Sequence, residues 1–326
     1  IGVSDALEMA ESYAKLCELS EGDNSWEVPE FFKQQASSNQ PWNFSYVDTN
    51  ISNGIATLTI NRPEAMNALN ETVVGQLSKA VDIVNADDSV DTIVIDGAGK
   101  AFVAGADVKF FVDKIRADSI DEIYEFTANG HKMLNSIENS SKTTIALTTG
   151  LALGGGLELA LSCDYRIGTR RTQFRFPETS IGIYPGLGGS QRPAKICGIP
   201  AARWAVLAGN FMTANTAFDL GLLTHLVEVS AVESCVLSCS KLGKPENKYP
   251  GAPANQDSKI ANFATQFYSD ENMKSLLQGQ CPEGFDSEDK LISRQLKNLK
   301  FTAPIALSMA SDLIDAAATT DLYQGL

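Results

Sequence analysis

Two glutamates, Glu158 and Glu178, lie twenty residues apart in the segment 150–192, close to a run of three glycines at 154–156. Glycines let a substrate lie against bare backbone N–H groups. Two carboxylates in one pocket can serve as an acid and a base. These residue types together predict a site that holds a carbonyl oxygen and moves protons next to it.

The glycine run follows a predicted buried strand at 144–149 and precedes a helix predicted from about 155 to 163. The first N–H groups of a helix have no partner inside it, and the helix dipole adds positive charge there, so such a turn binds an oxyanion. The N–H of Gly155 is one candidate donor, and the small-residue loop 104–107 is a source for the second. Tight packing of a helix on a strand explains either turn equally well when that turn is taken alone.

The two glutamates stand in different predicted environments. Glu158 lies in the first turn of its helix, where the dipole favours the ionised form that a base requires. Glu178 follows Pro177 in a loop flanked by apolar residues, where burial would raise its pKa and favour the protonated form. Such a difference assigns base and acid roles to a carboxylate pair. An isolated glutamate is more often a solvated surface charge, but Glu158 interrupts a run of Leu and Ala.

Composition excludes several classes of protein. The chain has 326 residues and a formal net charge of −14, which argues against nucleic acid and anionic membrane surfaces as partners. The apolar run 145–161 contains Glu158 and four glycines, which favour a strand, a turn and a helix over a membrane span. The sequence has no dinucleotide-binding fingerprint, no P-loop and no serine nucleophile elbow.

The cysteines and histidines form no recognisable motif. Six cysteines are present without a CxxC pair, and reduced thiols of this kind indicate a cytoplasmic protein. Only Cys235 and Cys239 are close in sequence, and without further ligands they predict no metal site. His131 and His225 are expected to be structural or exposed. Catalysis is therefore expected to use carboxylates and backbone groups.

The pattern of elements begins with a helix at 4–19, a turn into a short helix at 26–32 and a polar linker at 35–41. A new domain then starts with a hairpin whose strands, 44–47 and 55–60, are joined at Asn53-Gly54. The units that follow read strand, strand, helix, which resembles neither a doubly wound sheet nor a barrel. The chain is predicted to be mainly helical from 190 onward, with an exposed, disordered insertion at 241–258.

Four segments resemble the enoyl-CoA hydratase (crotonase) superfamily in content, order and spacing: NRPEAMNAL (61–69), KAFVAGADVK (100–109), GLALGGGLELALSCDYRIG (150–168) and FPETSIGIYPGLGGSQR (176–192). The resemblance covers about 42–230, and 301–310 resembles a later helix of that fold. It implies an α/β fold, a crotonase-like spiral of ββα units followed by a mainly helical C-terminal region. It also implies an acyl-CoA substrate, and a homotrimer or dimer of trimers.

The resemblance further implies roles for single residues. The N–H groups of Ala106 and Gly155 would hold the thioester oxygen, and Glu158 and Glu178 match the two catalytic glutamates of true hydratases. Gly186 matches a glycine on the water side of the pocket. Residues along the CoA moiety would be Glu64, Ala65, Met66, Ala104, Asp107 and Val108. No metal is implied, and no cofactor other than the coenzyme A of the substrate.

Residues 1–36 resemble the end of the C-terminal domain of 3-hydroxyacyl-CoA dehydrogenases, which archaeal bifunctional enzymes fuse to a C-terminal hydratase. The expected organisation is a dehydrogenase remnant at 1–36, a linker at 37–41 and a hydratase domain at 42–326. The region at about 241–293 is longer than in typical hydratases, and the last helices of the family are expected to be missing after Leu326.

The resulting prediction is a lyase that catalyses reversible syn hydration of a trans-2-enoyl-CoA to a 3-hydroxyacyl-CoA. One alternative is a Δ3,Δ2-enoyl-CoA isomerase that uses Glu158 or Glu178 alone to shuttle a proton; many such relatives keep only one of the two glutamates. A second alternative is a catalytically inactive crotonase fold that serves as an oligomerisation scaffold. The presence of both Glu158 and Glu178 favours hydration.

Overall fold

The computed structural model describes residues 3–21, 28, 33 and 45–325. These residues fall into two units, 1–45 and 46–326. In the first unit, helix α1 (Val3–Glu21) confirms the helix predicted at 4–19. The linker predicted at 35–41 and, apart from Val28, the short helix at 26–32 lie outside the described residues. None of the described helices has both the length and the apolar composition needed to cross a membrane.

The second unit opens with the predicted hairpin, although its first strand is shifted. Strands β1 (Val47–Ser52) and β2 (Ile55–Ile60) pair antiparallel, and the first begins three residues later than expected. The turn residues Asn53 and Gly54 have φ values of 51° and 77°. These left-handed conformations match the twist of a two-residue hairpin, which explains the Asn-Gly pair.

Two sheets share the remaining strands. The first sheet adds β3 (Thr92–Gly97), β5 (Thr143–Thr148), β7 (Tyr165–Gly168) and β10 (His225–Leu226) to the hairpin. The second sheet comprises β4 (Ala101–Ala104), β6 (Leu151–Leu153), β8 (Gln173–Arg175) and β9 (Met212–Thr213). Their orders are β1-β2-β3-β5-β7-β10 and β4-β6-β8-β9. All neighbours are parallel except the pairs β1–β2 and β8–β9.

Helices complete the repeating unit. The helices that follow strands in the first part of this unit are α2 (Glu71–Asn85), α3 (Val108–Arg116), α4 (Ile120–Glu138) and α5 (Gly155–Ser162). Strands β3 and β4 precede α3 and α4, and strands β5 and β6 precede α5. Because each pair places one strand in each sheet before the chain turns into a helix, the chain winds as the expected spiral of ββα units.

The C-terminal region is helical, as predicted. It contains α6 (Arg192–Cys197), α7 (Ile199–Leu207), α8 (Ala214–Asp219), α9 (Val232–Leu242), α10 (Lys259–Phe267), α11 (Asp270–Leu277), α12 (Lys290–Lys300), α13 (Pro304–Ala316) and α14 (Leu322–Gly325). Helix α7 packs against α10 and α13, and their apolar side chains join the buried core of the spiral.

The segment 241–258 is irregular but ordered. Beyond the end of α9 it contains no helix or strand, and most of its residues are exposed, as expected. The expected disorder is wrong, because two side chains anchor the segment in the interior. Lys248 donates to the Ser162 carbonyl at 2.6 Å, and the Tyr249 hydroxyl donates to the carboxylate of Glu138. Short-range composition cannot reveal such anchors, since their partners lie 86 and 111 residues earlier.

Candidate active site

A sharp turn between β6 and α5 forms the centre of the site. Gly154 adopts φ 46° and ψ −122°, a conformation that side chains with a Cβ rarely adopt. A Cβ at this position would also overlap Oε1 of Glu178. The N–H of Gly154 donates to the Arg175 carbonyl at 2.9 Å, which ties the turn to β8. The turn therefore requires glycine, and it places the backbone directly beside the second glutamate.

Two free backbone donors meet at this turn. Within the described ranges, no acceptor pairs with the N–H of Gly155 or of Ala106. A Cβ built on Gly155 would lie 3.7 Å from the nitrogen of Ala106. Ala106 is held in a parallel bridge to Leu69, whose N–H donates to the Gly105 carbonyl and whose carbonyl accepts from Asp107, both at 2.8 Å. The two predicted donors are thus adjacent and available to an oxyanion.

The start of α5 rests directly on β4, the strand that leads towards Ala106. A Cβ at Gly156 would overlap the carbonyl oxygen of Val103 and lie 2.7 Å from the Cβ of that residue. No side chain separates the helix from the strand at this point. The helix that supplies one donor is therefore in backbone contact with the strand that positions the other.

Glu158 is buried and held by two backbone donors. Its side chain is 2% exposed, and Oε1 accepts hydrogen bonds from the N–H groups of Leu187 and Gly189, both at 2.7 Å. Burial raises the pKa of Glu158 to about 7, although these two N–H groups and the charge of Arg192 act to lower it. Burial therefore opposes the ionised form expected from the position of Glu158 in the first turn of its helix, because it outweighs the two backbone hydrogen bonds and the charge of Arg192.

Glu178 begins a short 3-10 turn, Glu178–Ile181, and is 7% exposed. Its Oε2 is buried and has no hydrogen-bond partner within the part of the chain that the structure describes. Burial, and then the neighbouring carboxylate of Glu158, raise the pKa of Glu178 well above the ordinary glutamate value. The direction agrees with the expectation from its apolar loop. Both effects favour the protonated form of Glu178.

Arg192 supports the loop that holds Glu158. Its side chain is fully buried, and Nε and Nη2 donate to Oε2 of Glu138 at 2.9 and 2.7 Å. Nη1 donates to the Leu187 carbonyl at 2.8 Å. The N–H of Leu187 in turn donates to Glu158, so one residue is fixed on both sides by charged groups. Lys248 adds a second cation, 3.1 Å from Glu138.

The sequence did not predict the N–H groups of Leu187 and Gly189 as donors to Glu158, nor the support that Arg192 gives to their loop. The glycines of the run 186–189 are the signal that could have revealed the donors, because they let the backbone approach a carboxylate. Gly186 itself is half-buried and directly precedes Leu187. Arg192 and Glu138 carried no such signal, since they lie 54 residues apart and meet only through the fold.

The residues predicted to line the CoA moiety come together in two touching segments. The N–H of Ala104 donates to the Met66 carbonyl at 3.1 Å, and Arg62 pairs with Asp107 at 3.0 Å. Met66 and Val108 are 53% and 58% exposed. Glu64 and Ala65 belong to the short 3-10 turn just before Met66. The six residues form one open edge beside the donors, and their role in binding CoA stays a prediction.

Comparison with known proteins gives the class to which this fold and site belong. The family described as "Enoyl-CoA hydratase/isomerase" matches residues 55–326. An enoyl-CoA hydratase structure from Rhodobacter sphaeroides superposes with a TM-score of 0.74 at 23% identity, covering 86% of this chain and 82% of that one. The expected crotonase-like fold is therefore confirmed. The chain belongs to the enoyl-CoA hydratase/isomerase family.

Two curated relatives show how much of the chain the similarity covers. The crotonyl-CoA hydratase of Syntrophomonas wolfei is 42% identical over 175 residues, which are 53% of this chain and 66% of that protein. The fatty acid oxidation complex subunit alpha of Pseudomonas aeruginosa is 27% identical over 280 residues, 85% of this chain and 39% of that protein. The chain thus spans just under two thirds of the length of the curated hydratases that it matches.

Proposed function

We propose that this chain catalyses the reversible syn hydration of a trans-2-enoyl-CoA to a 3-hydroxyacyl-CoA. The observation that carries the proposal is the pair of buried glutamates, both with pKa values raised by burial, beside two N–H donors that have no acceptor among the described residues. The similarity to a crotonyl-CoA hydratase at 42% identity supports the same reaction.

The thioester carbonyl begins the reaction. Its oxygen accepts hydrogen bonds from the N–H groups of Ala106 and Gly155, which draws electrons from the conjugated double bond and makes C3 electrophilic. Glu158, in its ionised form, takes a proton from a water molecule while the water oxygen bonds to C3. The electron pair of the double bond moves to the thioester oxygen, and the resulting enolate is stabilised by the same two donors.

Protonation at C2 completes the addition. Glu178 gives its proton to C2 as the enolate electrons return, so that one water has been added across the double bond. Glu158 then carries a proton and Glu178 a negative charge. Transfer of a proton back to Glu178 restores the starting state, and the low solvent exposure of both groups keeps this exchange between them. The step needs no metal and no cofactor beyond the coenzyme A of the substrate.

The remaining predicted residues have binding roles in this proposal. The open edge formed by 64–66 and 104–108 would receive the CoA moiety, and its exposed Met66 and Val108 provide apolar surface there. Gly186 would border the water, because it adjoins the Leu187 N–H that holds Glu158.

The test is hydration of crotonyl-CoA, followed by loss of the ultraviolet absorbance of the conjugated thioester. Glu158→Gln and Glu178→Gln are each expected to lower kcat by at least ~10²-fold, a typical contribution of acid–base catalysis. Glu288→Gln is the matched control, because Glu288 is exposed on the surface, and it should keep wild-type activity. Near-normal hydration by either active-site variant contradicts the mechanism.

The same assay separates the alternatives. An isomerase would convert a 3-enoyl-CoA faster than it hydrates a 2-enoyl-CoA, so the two substrates are compared at equal concentration. A scaffold would bind no acyl-CoA in calorimetry. Rates across a series of acyl chain lengths then define the natural substrate.

We also propose that the protein assembles as a homotrimer or a dimer of trimers. An exposed apolar surface supports assembly. Phe301 and Ile305 are 73% and 77% exposed. They flank Ala303, whose N–H donates to the carbonyl of Thr179 in the 3-10 turn Glu178–Ile181. Ile181, in that turn, is 57% exposed. Sedimentation equilibrium gives the subunit number, and a monomer at micromolar concentration would contradict the proposal.

We propose that this sequence belongs to a longer chain, here called the parent chain, which is a cytoplasmic bifunctional enzyme that also carries a 3-hydroxyacyl-CoA dehydrogenase. The separate unit at 1–45 and the similarity to a fatty acid oxidation complex subunit alpha support the fusion. Five described cysteines are free thiols, in keeping with a reducing compartment. NAD-dependent oxidation of 3-hydroxybutyryl-CoA by the parent chain tests the second activity.

A further inference from the structure

Three metal-ligating side chains meet where helix α9 crosses the edge of the first sheet. Their potential ligand atoms, one each from His225, Cys235 and Cys239, all lie within 4.8 Å of one another. We call these three residues the Cys2His cluster. His225 belongs to the edge strand β10, whereas the two cysteines are four residues apart on one face of α9. None of them takes part in the proposed hydration.

The ligand atoms lie slightly farther apart than they would around a bound tetrahedral metal ion. With metal–sulfur and metal–nitrogen bonds of about 2.3 and 2.0 Å, tetrahedral geometry places sulfur and nitrogen roughly 3.5 Å apart. Cys239 Sγ lies 3.9 Å from Nε2 of His225. Because the same sulfur lies 4.0 Å from Nδ1, metal binding also requires the His225 ring to reorient so that Nε2 faces the site.

The hydrogen bonds around His225 leave one ring nitrogen ready to bind a metal. The hydroxyl of Thr224 donates its single proton to the Arg166 carbonyl at 2.9 Å. Its oxygen lies 3.0 Å from Nδ1 of His225, and with the hydroxyl proton directed to the Arg166 carbonyl, Nδ1 is the donor in that bond. The lone pair is then on Nε2. Metal-binding histidines are commonly oriented in this way, by a partner on the nitrogen that does not bind the metal.

The donor set indicates which metal the cluster would favour. Two thiols and an imidazole are soft or borderline ligands that favour Zn²⁺ over Mg²⁺ or Ca²⁺, and the cluster contains no carboxylate. Cys239 is fully buried, whereas His225 and Cys235 are half-buried. The cluster is thus closed on the protein side and reaches solvent on the other, where a water can complete four-coordination.

We propose that His225, Cys235 and Cys239 bind one Zn²⁺, through Nε2 and two thiolates, with water as the fourth ligand. Binding releases the two thiol protons to solvent and involves no oxidation or reduction. The metal would fasten β10, the last strand of the first sheet, to the helix that covers it. The sequence alone predicted no metal site, because the third ligand lies on a different element ten residues before Cys235.

The test uses the full chain, reduced and freed of metal by chelation, with Co²⁺ and Zn²⁺ as probes. Co²⁺ should give thiolate charge-transfer absorption and the intense visible bands of a tetrahedral site, with saturation at one equivalent. Zn²⁺ should displace it, release two protons per metal in weakly buffered solution and protect Cys235 from alkylation. These readouts do not depend on hydratase activity, so they stand or fall separately from the proposed function.

Variants locate the binding site. Cys239→Ser and His225→Gln should weaken Zn²⁺ binding by at least about 100-fold, and Thr224→Val by roughly 10- to 100-fold, as for other partners of a ligating histidine. Cys281→Ser is the matched control, because Cys281 is also half-buried and lies outside the cluster. Absence of the tetrahedral Co²⁺ spectrum in the wild type overturns the proposal. A wild-type spectrum in Cys239→Ser also overturns it. If a variant fails to fold, protection of Cys235 from alkylation by Zn²⁺ in the wild-type chain still tests the proposal.

Discussion

Replacement of Arg192 by methionine tests whether the buried ion pair positions Glu158, the proposed catalytic base. Methionine fills much of the same volume but removes the charge and all donors. The variant loses two hydrogen bonds to Glu138 and the one to the Leu187 carbonyl. Glu138 would then remain buried with Lys248 as its only cation and the Tyr249 hydroxyl as a further partner, among the described residues.

The expected loss of stability follows from this partial compensation. Breaking a buried ion pair by removing one partner usually costs 3–5 kcal/mol, on the order of magnitude found for other proteins. Lys248 still neutralises Glu138, so we expect a value near the lower end, about 3 kcal/mol. For a domain of this size, a loss of that magnitude lowers Tm by roughly 6–12 °C.

The variant should also change the pH dependence of catalysis. Arg192 acts to lower the pKa of Glu158, so its removal raises that pKa further. The base must be ionised to accept a proton from water, and the rising limb of kcat/KM should therefore move to higher pH. Stability is followed by thermal melting, and activity by crotonyl-CoA hydration across a pH series at a temperature where the variant is folded.

Arg203→Met is the matched control. Arg203 is also buried, at 4% exposure, and donates twice to Asp315 and once to the Tyr268 carbonyl. It has no hydrogen bond to the loop that holds Glu158. Its loss should lower Tm without moving the rising limb. If the limb stays in place in Arg192→Met, or moves equally in both variants, the positioning argument is refuted.

Two further predictions concern the glycine turn and the cost of a buried base. Gly154→Ala should lower kcat at least ~10²-fold, because the added Cβ overlaps Glu178 and small misplacements of catalytic groups have such effects. Gly75→Ala is the control and should leave hydration unchanged, because its added Cβ meets nothing within 4 Å. Equal activity of the two variants would contradict the argument. Because burial raises the pKa of Glu158 to about 7, this group stabilises the fold below its unfolded pKa and loses that contribution as pH rises through 7. Glu158→Gln should therefore gain about 2–3 kcal/mol relative to wild type between pH 5 and pH 8, measured by urea unfolding, and a difference that does not change with pH would contradict this.

Local patterns were sufficient wherever one element determines the outcome. Residues 71–85 have helical periodicity and form α2, whose apolar face is buried and whose first turn is capped by Asn70. The Asn-Gly pair at 53–54 predicts the hairpin, since few other residues adopt those φ values readily. The predicted position of β1 was wrong by three residues at its start, because its residues are mostly exposed and the alternation of apolar and polar residues is therefore weak.

Patterns failed where distant segments decide the chemistry. Glu158 stands in a helix turn that favours ionisation, but its pKa is determined mainly by burial under a loop about thirty residues further along the chain. The anchors Lys248 and Tyr249 looked solvated because their partners lie in α4 and α5. The proximity of His225 to Cys235 and Cys239 carries no sequence signal either, since these side chains come into range only when α9 folds over β10.

The backbone contact at Gly156 has a consequence for how this site can change during evolution. The spacing between the Gly155 and Ala106 donors depends on how closely a helix and a strand can approach when no Cβ lies between them. Side-chain substitutions elsewhere in the pocket therefore leave the distance between these two donors unchanged. In the proposed reaction, acceptance of longer or branched acyl groups would depend on the residues that line the rest of the pocket, while the distance between the two donors to the thioester oxygen would stay the same.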